Sequence, residues 1–392
     1  MKNRRVLFVH DGPLYIDSEG QYYSVHFTDK LIEQYLKLGD FVTIVMRVVK
    51  AGEAEKKELT RIASKKVEVI EIPNFKSFSK YFLNVNKASR IIEEAIIQHD
   101  IIIVRLPSAA GVIATKFTKK YDKPLLAEMV ACTFDGYWNY SWKGKLIAHY
   151  KLYSLKKVAY KLDYTIYVTE KFLQKRYPTK GSSVACSDVH LNNINNTALL
   201  NRIHKINSKE NTQPFVLGTV ASMNVKYKGQ QYVIRALHAL KKKGIKFNYH
   251  LVGQGDDSYL RHLTSKLGLQ DQVKFNGPLK HENILDFLNK IDIYIQPSKQ
   301  EGLPRALVEA MSTACPALGS NIAGIPELLS EESIFKAGDI SAIQGILQNV
   351  NTVWMIKSAQ DNFARAKDYQ YEVLENRRNN FYQKFLTESG FK

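Results

Sequence analysis

Two glutamates eight positions apart, Glu301 and Glu309, flank a Gly-Leu-Pro turn and have the chemistry to hold a sugar nucleotide. Pro304 is typical of a first helical turn, because the N–H that proline lacks would have no partner there. We therefore expect Glu301 in a loop and Glu309 on the helix that follows. The start of such a helix offers unpaired backbone N–H groups to a diphosphate, and carboxylates accept hydrogen bonds from sugar and ribose hydroxyls.

A strand-like run, 291–298, leads directly into this segment. Ligands of open α/β sheets bind outside the carboxyl ends of the strands. The order of strand, loop and helix therefore predicts that both glutamates lie at a ligand-binding edge. The spacing by itself is weak evidence, because two glutamates eight residues apart also occur by chance in solvated helices.

Strand-like and helix-like segments alternate along both halves of the chain. In the first half, the strand-like runs are 5–10, 41–45, 67–72, 101–104, 124–128 and 164–168, and the helix-like runs are 27–38, 87–98, 111–119 and 146–161. In the second half, strand-like runs at 215–220, 247–252, 273–275 and 291–296 alternate with helix-like runs at 230–243, 257–267 and 282–289. This alternation predicts parallel strands joined by crossover helices. The polar stretch 192–213 interrupts it and is interpreted as a linker, so we predict domains at 1–205 and 206–370.

The 392 residues carry a net charge of +18, and residues 101–205 hold 17 Lys and Arg against 6 Asp and Glu. An anionic partner is therefore expected on the first domain. Three widely separated cysteines argue against a disulfide framework or a zinc site. No stretch approaches the roughly 20 apolar residues that span a bilayer, and the cytosol is the predicted location.

Residues 137–161 interleave Tyr, Trp and Lys and contain no acidic residue. Such a surface suits the headgroup region of an anionic membrane. Single-stranded nucleic acid is a competing partner for basic and aromatic surfaces, and a buried helix with solvated lysines is a third interpretation. We favour the membrane and expect no nucleic acid partner.

The run Gln296 to Met311, followed by Pro316 and by Gly324-Ile-Pro-Glu327, resembles the signature of the family 4 glycosyltransferases, which are retaining GT-B enzymes. The resemblance is close from Phe215 to about Pro326 and looser before it. It implies an α/β fold of two Rossmann-like, doubly wound domains that face each other across a cleft. It also implies that a C-terminal helix, at about 371–392, packs back on the first domain.

The resemblance assigns the donor site to the second domain. Glu309 would bind the ribose hydroxyls, Glu301 the donor sugar, and Lys228, which precedes a glycine, the phosphates. An arginine that often precedes this lysine in the family is missing here, so phosphate binding would depend on Lys228 and on a substitute such as Ser222 or Lys226. The remaining donor-binding candidates are Gly253, Leu279, Gly302, Leu303 and Arg305. Glu327 matches a family glutamate, although helix capping is an equal alternative for it.

The first domain carries fewer of the family's residues. The family's glycine-rich loop, which approaches the donor phosphates and the acceptor, corresponds to 10–21, where Gly12 and Gly20 are separated. Where many relatives carry a histidine, this chain has none from Glu128 to Asp135, which leaves these two carboxylates as catalytic candidates beside Glu301 and Lys228. No Asp-x-Asp occurs, so we expect no metal and no cofactor. Lys228 and a helix N-terminus would stabilise the leaving diphosphate.

These features predict a glycosyltransferase that moves a sugar from a nucleotide diphosphate, with UDP favoured, to a glycan acceptor, with retention. The preferred acceptor is linked to polyprenyl diphosphate, and the preferred setting is surface polysaccharide or glycoconjugate synthesis on the inner face of the cytoplasmic membrane. A GT-B sugar-nucleotide epimerase or a phosphorylase is one alternative. A basic nucleic-acid- or membrane-binding protein without catalysis is another.

Overall fold

Two β-sheets, each covered by helices on both faces, make up the protein. The computed structural model describes residues 3–25, 27–52, 56, 59–75, 78–210 and 213–391. Strands from 5–185 form the first sheet and strands from 215–335 the second. The central strands are fully buried on both sides, as Val6 to Val9 and Ile101 to Val104 show, which is the pattern of a parallel sheet between two helical layers.

In the first sheet the parallel order is β5-β3-β1-β6-β7-β8-β9. The short strand β2 pairs antiparallel with β1, and β4 pairs antiparallel with β2. These strands are β1 Arg5–Ile16, β2 Tyr22–Ser24, β3 Phe41–Lys50, β4 Thr60–Arg61, β5 Val67–Glu71, β6 Ile101–Leu106, β7 Leu125–Met129, β8 Tyr164–Tyr167 and β9 Ser182–Ala185. The helices that accompany them are α1 Asp29–Tyr35, α2 Phe78–Ile97, α3 Ala109–Lys120, α4 Thr133–Tyr140, α5 Trp142–Ala159 and α6 Phe172–Arg176. Helix α7, Ala198–Asn207, leads into the second sheet.

The second sheet is parallel throughout, in the order β12-β11-β10-β13-β14-β15. Its strands are β10 Phe215–Val220, β11 Phe247–Val252, β12 Val273–Phe275, β13 Ile293–Gln296, β14 Ala317–Ser320 and β15 Ile334–Phe335. The helices are α8 Gln230–Lys241, α9 Ser258–Lys266, α10 His281–Lys290, α11 Arg305–Ser312, α12 Ile325–Leu328, α13 Ile340–Gln348, α14 Thr352–Ala366 and α15 Tyr371–Glu388. The predicted fold class, two doubly wound α/β domains of the GT-B type, is confirmed.

The first strand is longer than the sequence pattern predicted. Residues 10–21 were expected to form a loop, but β1 continues to Ile16 and pairs with β3 on both sides of a register shift between Val9 and Pro13. Such an irregularity accommodates a proline, which cannot donate to the ladder. The loop prediction was therefore wrong for most of this stretch.

The predicted linker 192–213 contains helix α7. Buried Arg202 on this helix donates from Nη1 to the Ile291 carbonyl at 2.7 Å and from Nη2 to the Leu288 carbonyl at 2.8 Å. These are carbonyls at the C-terminal end of α10, which have no partner inside their own helix. The polar composition of α7 therefore reflects a helix held by hydrogen bonds to the second sheet's helices, and the interpretation as a plain linker is corrected.

Helix α15 returns from the second sheet to the first. Arg377 and Arg378 donate to the carbonyls of Ala185 and Ser187, each at 3.0 Å. On the same side, the Phe385 ring packs edge-on against Tyr164 with the centroids 5.0 Å apart. The last helix thus contributes side chains to the first sheet's surroundings, one of which lies in the cavity described below.

Candidate active site

A lysine and a glutamate from separate parts of the second sheet meet at its carboxyl edge. Lys228 Nζ lies 2.7 Å from Glu301 Oε1. Lys228 ends a single 3₁₀ turn after β10, and Glu301 lies in the loop after β13, which is the neighbouring strand. The structure therefore brings together two of the predicted catalytic and donor-binding residues, 73 residues apart in sequence.

Gly229 allows Lys228 to take this position. Its φ is +84°, and a Cβ at this residue would stand 1.9 Å from the Pro297 carbonyl oxygen. A side chain here would meet both backbone strain and a steric clash. The Lys-Gly pair is thus explained by the close approach of the turn to the end of β13.

Three donors converge on one oxygen of Glu301. Besides Lys228, Ser298 Oγ donates to Oε1 at 2.7 Å and Gln296 Nε2 at 3.0 Å. The Tyr294 hydroxyl in turn donates to Gln296 Oε1 at 2.7 Å, which fixes the orientation of the amide. Since the Glu301 side chain is only 9% exposed, these bonds compensate for the burial of its charge.

Glu309 lies two turns further on, on the buried side of α11. Pro304 is the N-cap of this helix rather than its first residue, and no side chain caps the helix start. The helix therefore begins just after Glu301 with backbone N–H groups that no side chain caps. Burial raises the pKa of the Tyr294 hydroxyl well above its usual value, and the nearby Glu301 and Glu309 carboxylates raise it further.

The other predicted donor-binding residues surround this edge. A Cβ on Gly253 would stand 1.9 Å from the Ala221 carbonyl oxygen, so glycine allows the loops after β10 and β11 to touch. Ser222, in the first of these loops, donates from Oγ to Asn224 Oδ1 at 3.2 Å. Leu279 packs on the core cluster that contains Leu303.

The loop that carries Glu301 also faces the first domain. Asn139 Nδ2 on α4 donates to the Lys299 carbonyl at 3.0 Å, and a Cβ on Gly302 would stand 3.0 Å from the Val130 carbonyl oxygen. On the same helix α4, Asp135 Oδ1 lies 4.0 Å from Arg176 Nη1. Asp135 therefore lies on a helix that contacts the loop of Glu301, and its catalytic role stays a prediction.

Glu327 caps a helix of the opposite domain. Its carboxylate accepts from the backbone N–H groups of Glu170 at 2.6 Å, Lys171 at 3.0 Å and Phe172 at the start of α6. A carboxylate at a helix N-terminus satisfies unpaired donors and interacts favourably with the helix dipole. Of the two alternatives for Glu327, the observed contacts correspond to capping.

Glu128 is held by two side chains of the first domain. Its Oε2 accepts from the Tyr35 hydroxyl at 2.9 Å and from Arg105 Nε at 3.0 Å, and the residue is buried. Burial lowers the pKa of Arg105, but Glu128, Tyr35 and Asp188 together outweigh this effect and the pKa is raised. Glu128 therefore orients Arg105 in this structure, and the acid/base role predicted for it is not tested.

Arg105 lines a cavity of about 570 Å³ in the first domain, at its border with the second. Gly12 and Arg305 also line it, so Arg305 faces the first domain from the start of α11. Gly20 does not: it is exposed at the turn between β1 and β2, with φ +78°. The cavity residues Lys30, His190 and Arg378 were missed by sequence reasoning, because they are far apart in the chain and belong to no local motif.

In the part of the chain that the structure describes, no group of three or more His, Cys, Asp or Glu could hold a metal ion. None of the helices described is long and apolar enough to cross a membrane.

Residues 201–352 match the family model of "Glycosyl transferases group 1". The chain is 29% identical to Protein CapJ of Staphylococcus aureus over 380 aligned residues, which are 96% of this chain and 90% of that protein. It is 34% identical to the amylovoran biosynthesis glycosyltransferase AmsK of Erwinia amylovora over 145 residues, which are 34% of this chain and 35% of that protein. The crystal structure of Anabaena HepE in complex with UDP-glucose superposes with a TM-score of 0.62 at 16% identity, covering 98% of this chain and 99% of that one.

The solved structure supports the fold alone, whereas the family match falls on the sheet that carries Lys228, Glu301 and Glu309. From this match and the paired parallel sheets, we conclude that the protein is a glycosyltransferase whose residues 201–352 are similar to the group 1 glycosyl transferases.

Proposed function

We propose that this glycosyltransferase moves a sugar from a UDP-sugar to a hydroxyl of a glycan acceptor, with retention of configuration. The contact between Lys228 and Glu301, at the carboxyl edge of the second sheet and next to the open start of α11, is the observation that carries the proposal. UDP is preferred because the structural neighbour HepE was solved with UDP-glucose.

In this proposal, each charged group at the edge has one task. Lys228 and the first N–H groups of α11 stabilise the negative charge on the departing diphosphate. Glu301 accepts hydrogen bonds from the donor sugar, with Ser298 and Gln296 holding it in place. Glu309, which is buried on α11, accepts hydrogen bonds from the ribose hydroxyls.

We propose that the reaction needs no metal ion. The sequence has no Asp-x-Asp, and Lys228 stands where a cation would otherwise neutralise phosphate. Turnover is expected to persist in excess EDTA. Full loss of activity in the chelator, restored by magnesium or manganese, would contradict this part of the proposal.

The proposed acceptor is a growing polysaccharide, as suggested by the name of the relative AmsK. It is presented at the inner face of the cytoplasmic membrane, and helix α5 is the proposed docking element. Trp142, Leu146 and Tyr150 on one side of this helix are 70%, 73% and 68% exposed, whereas Gly144 and Ala148 are buried against the protein. Lysines flank the apolar side chains, and aromatic rings with flanking lysines suit an anionic headgroup region.

A donor panel tests the proposed reaction. The protein is incubated with UDP-, GDP-, ADP- and dTDP-sugars, and the released nucleotide is measured. We expect release from a UDP-sugar, strongly reduced in Lys228→Gln and unchanged in Lys241→Gln, which alters a lysine paired with Asp271 away from the edge. Release from none of the UDP-sugars, or equal release by both variants, would refute the donor assignment.

A further inference from the structure

The cavity of the first domain has an excess of positive charge. Its lining includes four cationic side chains, Lys30, Arg105, Arg305 and Arg378, and one carboxylate, that of Asp188. The lining also includes apolar and aromatic side chains, with Phe8, Phe27 and Leu31 among them. A cavity of about 570 Å³ that combines cationic and apolar residues suits a small amphipathic anion.

Arg378 is the most unusual of these cations. It reaches the cavity from α15, is only 7% exposed, and donates from Nη2 to the Ser187 carbonyl at 3.0 Å. Arg105, by contrast, is held by the Glu128 carboxylate at 3.0 Å. A buried charge is costly unless an opposite charge compensates for it. The Glu128 carboxylate also acts on Arg378 electrostatically, but it forms its ion pair with Arg105, so an anion in the cavity would compensate for the Arg378 charge more fully.

Lys30 is held by neutral groups. Its Nζ lies 2.9 Å from His190 Nε2 and 4.0 Å from the centroid of the Tyr371 ring. Burial and the nearby Lys30, Arg305 and Arg378 charges lower the pKa of His190 to about 4, so the imidazole is neutral at pH 7. An ammonium can only donate, so His190 Nε2 is the acceptor. The ring orients Lys30 toward the cavity without cancelling its charge.

We propose that this cavity binds a phosphate or diphosphate group of the acceptor, with Lys30, Arg305 and Arg378 as its ligands. The inference rests on the proposed function and names the chemical class of its acceptor, a phosphorylated sugar. Arg105 is paired with Glu128, so three cations remain against the Asp188 carboxylate, which exceeds what a single sugar carboxylate would balance. The aromatic residues of the lining then contact the sugar or the start of a lipid carrier. Arg305 at the border places the acceptor next to the carboxyl edge of the second sheet that carries Lys228 and Glu301, here called the donor edge.

The helix that supplies Arg378 also supplies a matched control. Arg377 is its neighbour and donates to the Ala185 carbonyl at the same distance of 3.0 Å, but it does not line the cavity. Inorganic diphosphate is titrated by calorimetry into protein that has been saturated with UDP, which keeps the donor edge occupied. Wild type and Arg377→Gln are expected to bind it. Lys30→Gln and Arg378→Gln are expected to bind it at least about tenfold more weakly, because each loses a charge-assisted hydrogen bond.

Equal binding by all four proteins, or no binding by the wild type, would overturn the inference. Lys30→Gln keeps the test valid if Arg378→Gln fails to fold, since Lys30 is partly exposed on α1. The initial UDP titration reports on the donor edge separately, so a failure of the proposed function is distinguished from a failure of the cavity. Transfer to a sugar 1-phosphate and to a polyprenyl-diphosphate-linked sugar then distinguishes the two sources of the anion. A Michaelis constant for both acceptors that is unchanged in Lys30→Gln would also overturn the inference.

Discussion

The donor edge of the second sheet and the cavity of the first domain both contain buried or half-buried cations, but they balance charge differently. At the donor edge Lys228 is already 2.7 Å from a carboxylate, which three donors hold in place. In the cavity, Arg378 bonds a carbonyl and Lys30 a neutral imidazole. The comparison indicates that a ligand at the donor edge must compete with an existing ion pair, whereas an anion in the cavity would supply the missing charge.

Removal of the Lys228 charge should have the largest effect. In Lys228→Gln we expect turnover to fall on the order of 10²- to 10³-fold, as for the loss of one donor that stabilises a developing anion. The rate of nucleotide release at saturating donor measures this effect. Turnover within about threefold of wild type would show that Lys228 does not stabilise the leaving diphosphate. The proposed difference between the donor edge and the cavity would then lose its support.

Glu309→Ala should weaken UDP binding by about 1.5–3 kcal/mol, because the ribose hydroxyls lose a charged acceptor. This corresponds to roughly 10- to 150-fold in the dissociation constant. Glu309→Gln, which preserves the shape of this buried side chain, is the matched variant and should retain part of the affinity. Calorimetry on folded protein decides the point, and an unchanged affinity in Glu309→Ala would exclude this residue from the donor site.

The third prediction concerns the surface of the first domain rather than its interior. Each lysine of α5 is expected to add about 1 kcal/mol of affinity for anionic vesicles, a contribution that salt screens over roughly 8 Å. Liposome flotation at low and high salt measures it. The variant to test reverses three lysines to glutamate, namely Lys143, Lys145 and Lys151.

Its control reverses three exposed lysines of the second domain, namely Lys242, Lys243 and Lys246. Flotation should be lost in the first variant and retained in the second. If both behave like wild type, or if neutral and anionic vesicles bind equally poorly at low salt, the membrane proposal fails.

The last prediction is the pH dependence that His190 adds to stability. Its folded pKa of about 4 lies below the unfolded value of about 6.5, so the unfolded chain binds more protons between these values. The contribution is present above pH 6.5 and is lost as the pH falls toward 4. The free energy of unfolding, measured with urea between pH 4.5 and 7, should change less with pH in His190→Gln than in the wild type. Parallel slopes would show that the cavity does not depress this pKa.

The fold and the donor edge were largely predictable because their signals are local. Alternating runs predict parallel strands, and Lys228-Gly229 and Glu301 to Glu309 each fit in one loop or helix. Two local predictions failed for physical reasons. The family's glycine-rich loop was expected at 10–21, but β1 continues through Gly12 and Pro13 with a register shift. The polar residues of α7 indicated a linker, although Arg202 is buried there.

The cavity could not have been found in the same way. Lys30, Arg105 and Arg378 come from α1, β6 and α15, and only the return of the last helix to the first sheet brings them together. Glu128 illustrates the related difficulty for single residues, because a carboxylate at the end of a strand can serve chemistry or hold an arginine. Its contacts with Tyr35 and Arg105 became visible only in the structure.

A crystal structure of the protein with UDP bound would test the central claim most directly, because it places a diphosphate in one region or the other. The account predicts the diphosphate within hydrogen-bond distance of Lys228 Nζ and of the first N–H groups of α11, with the ribose hydroxyls on the Glu309 carboxylate. A diphosphate found instead among Lys30, Arg105 and Arg378, with Lys228 still paired to Glu301, would contradict it.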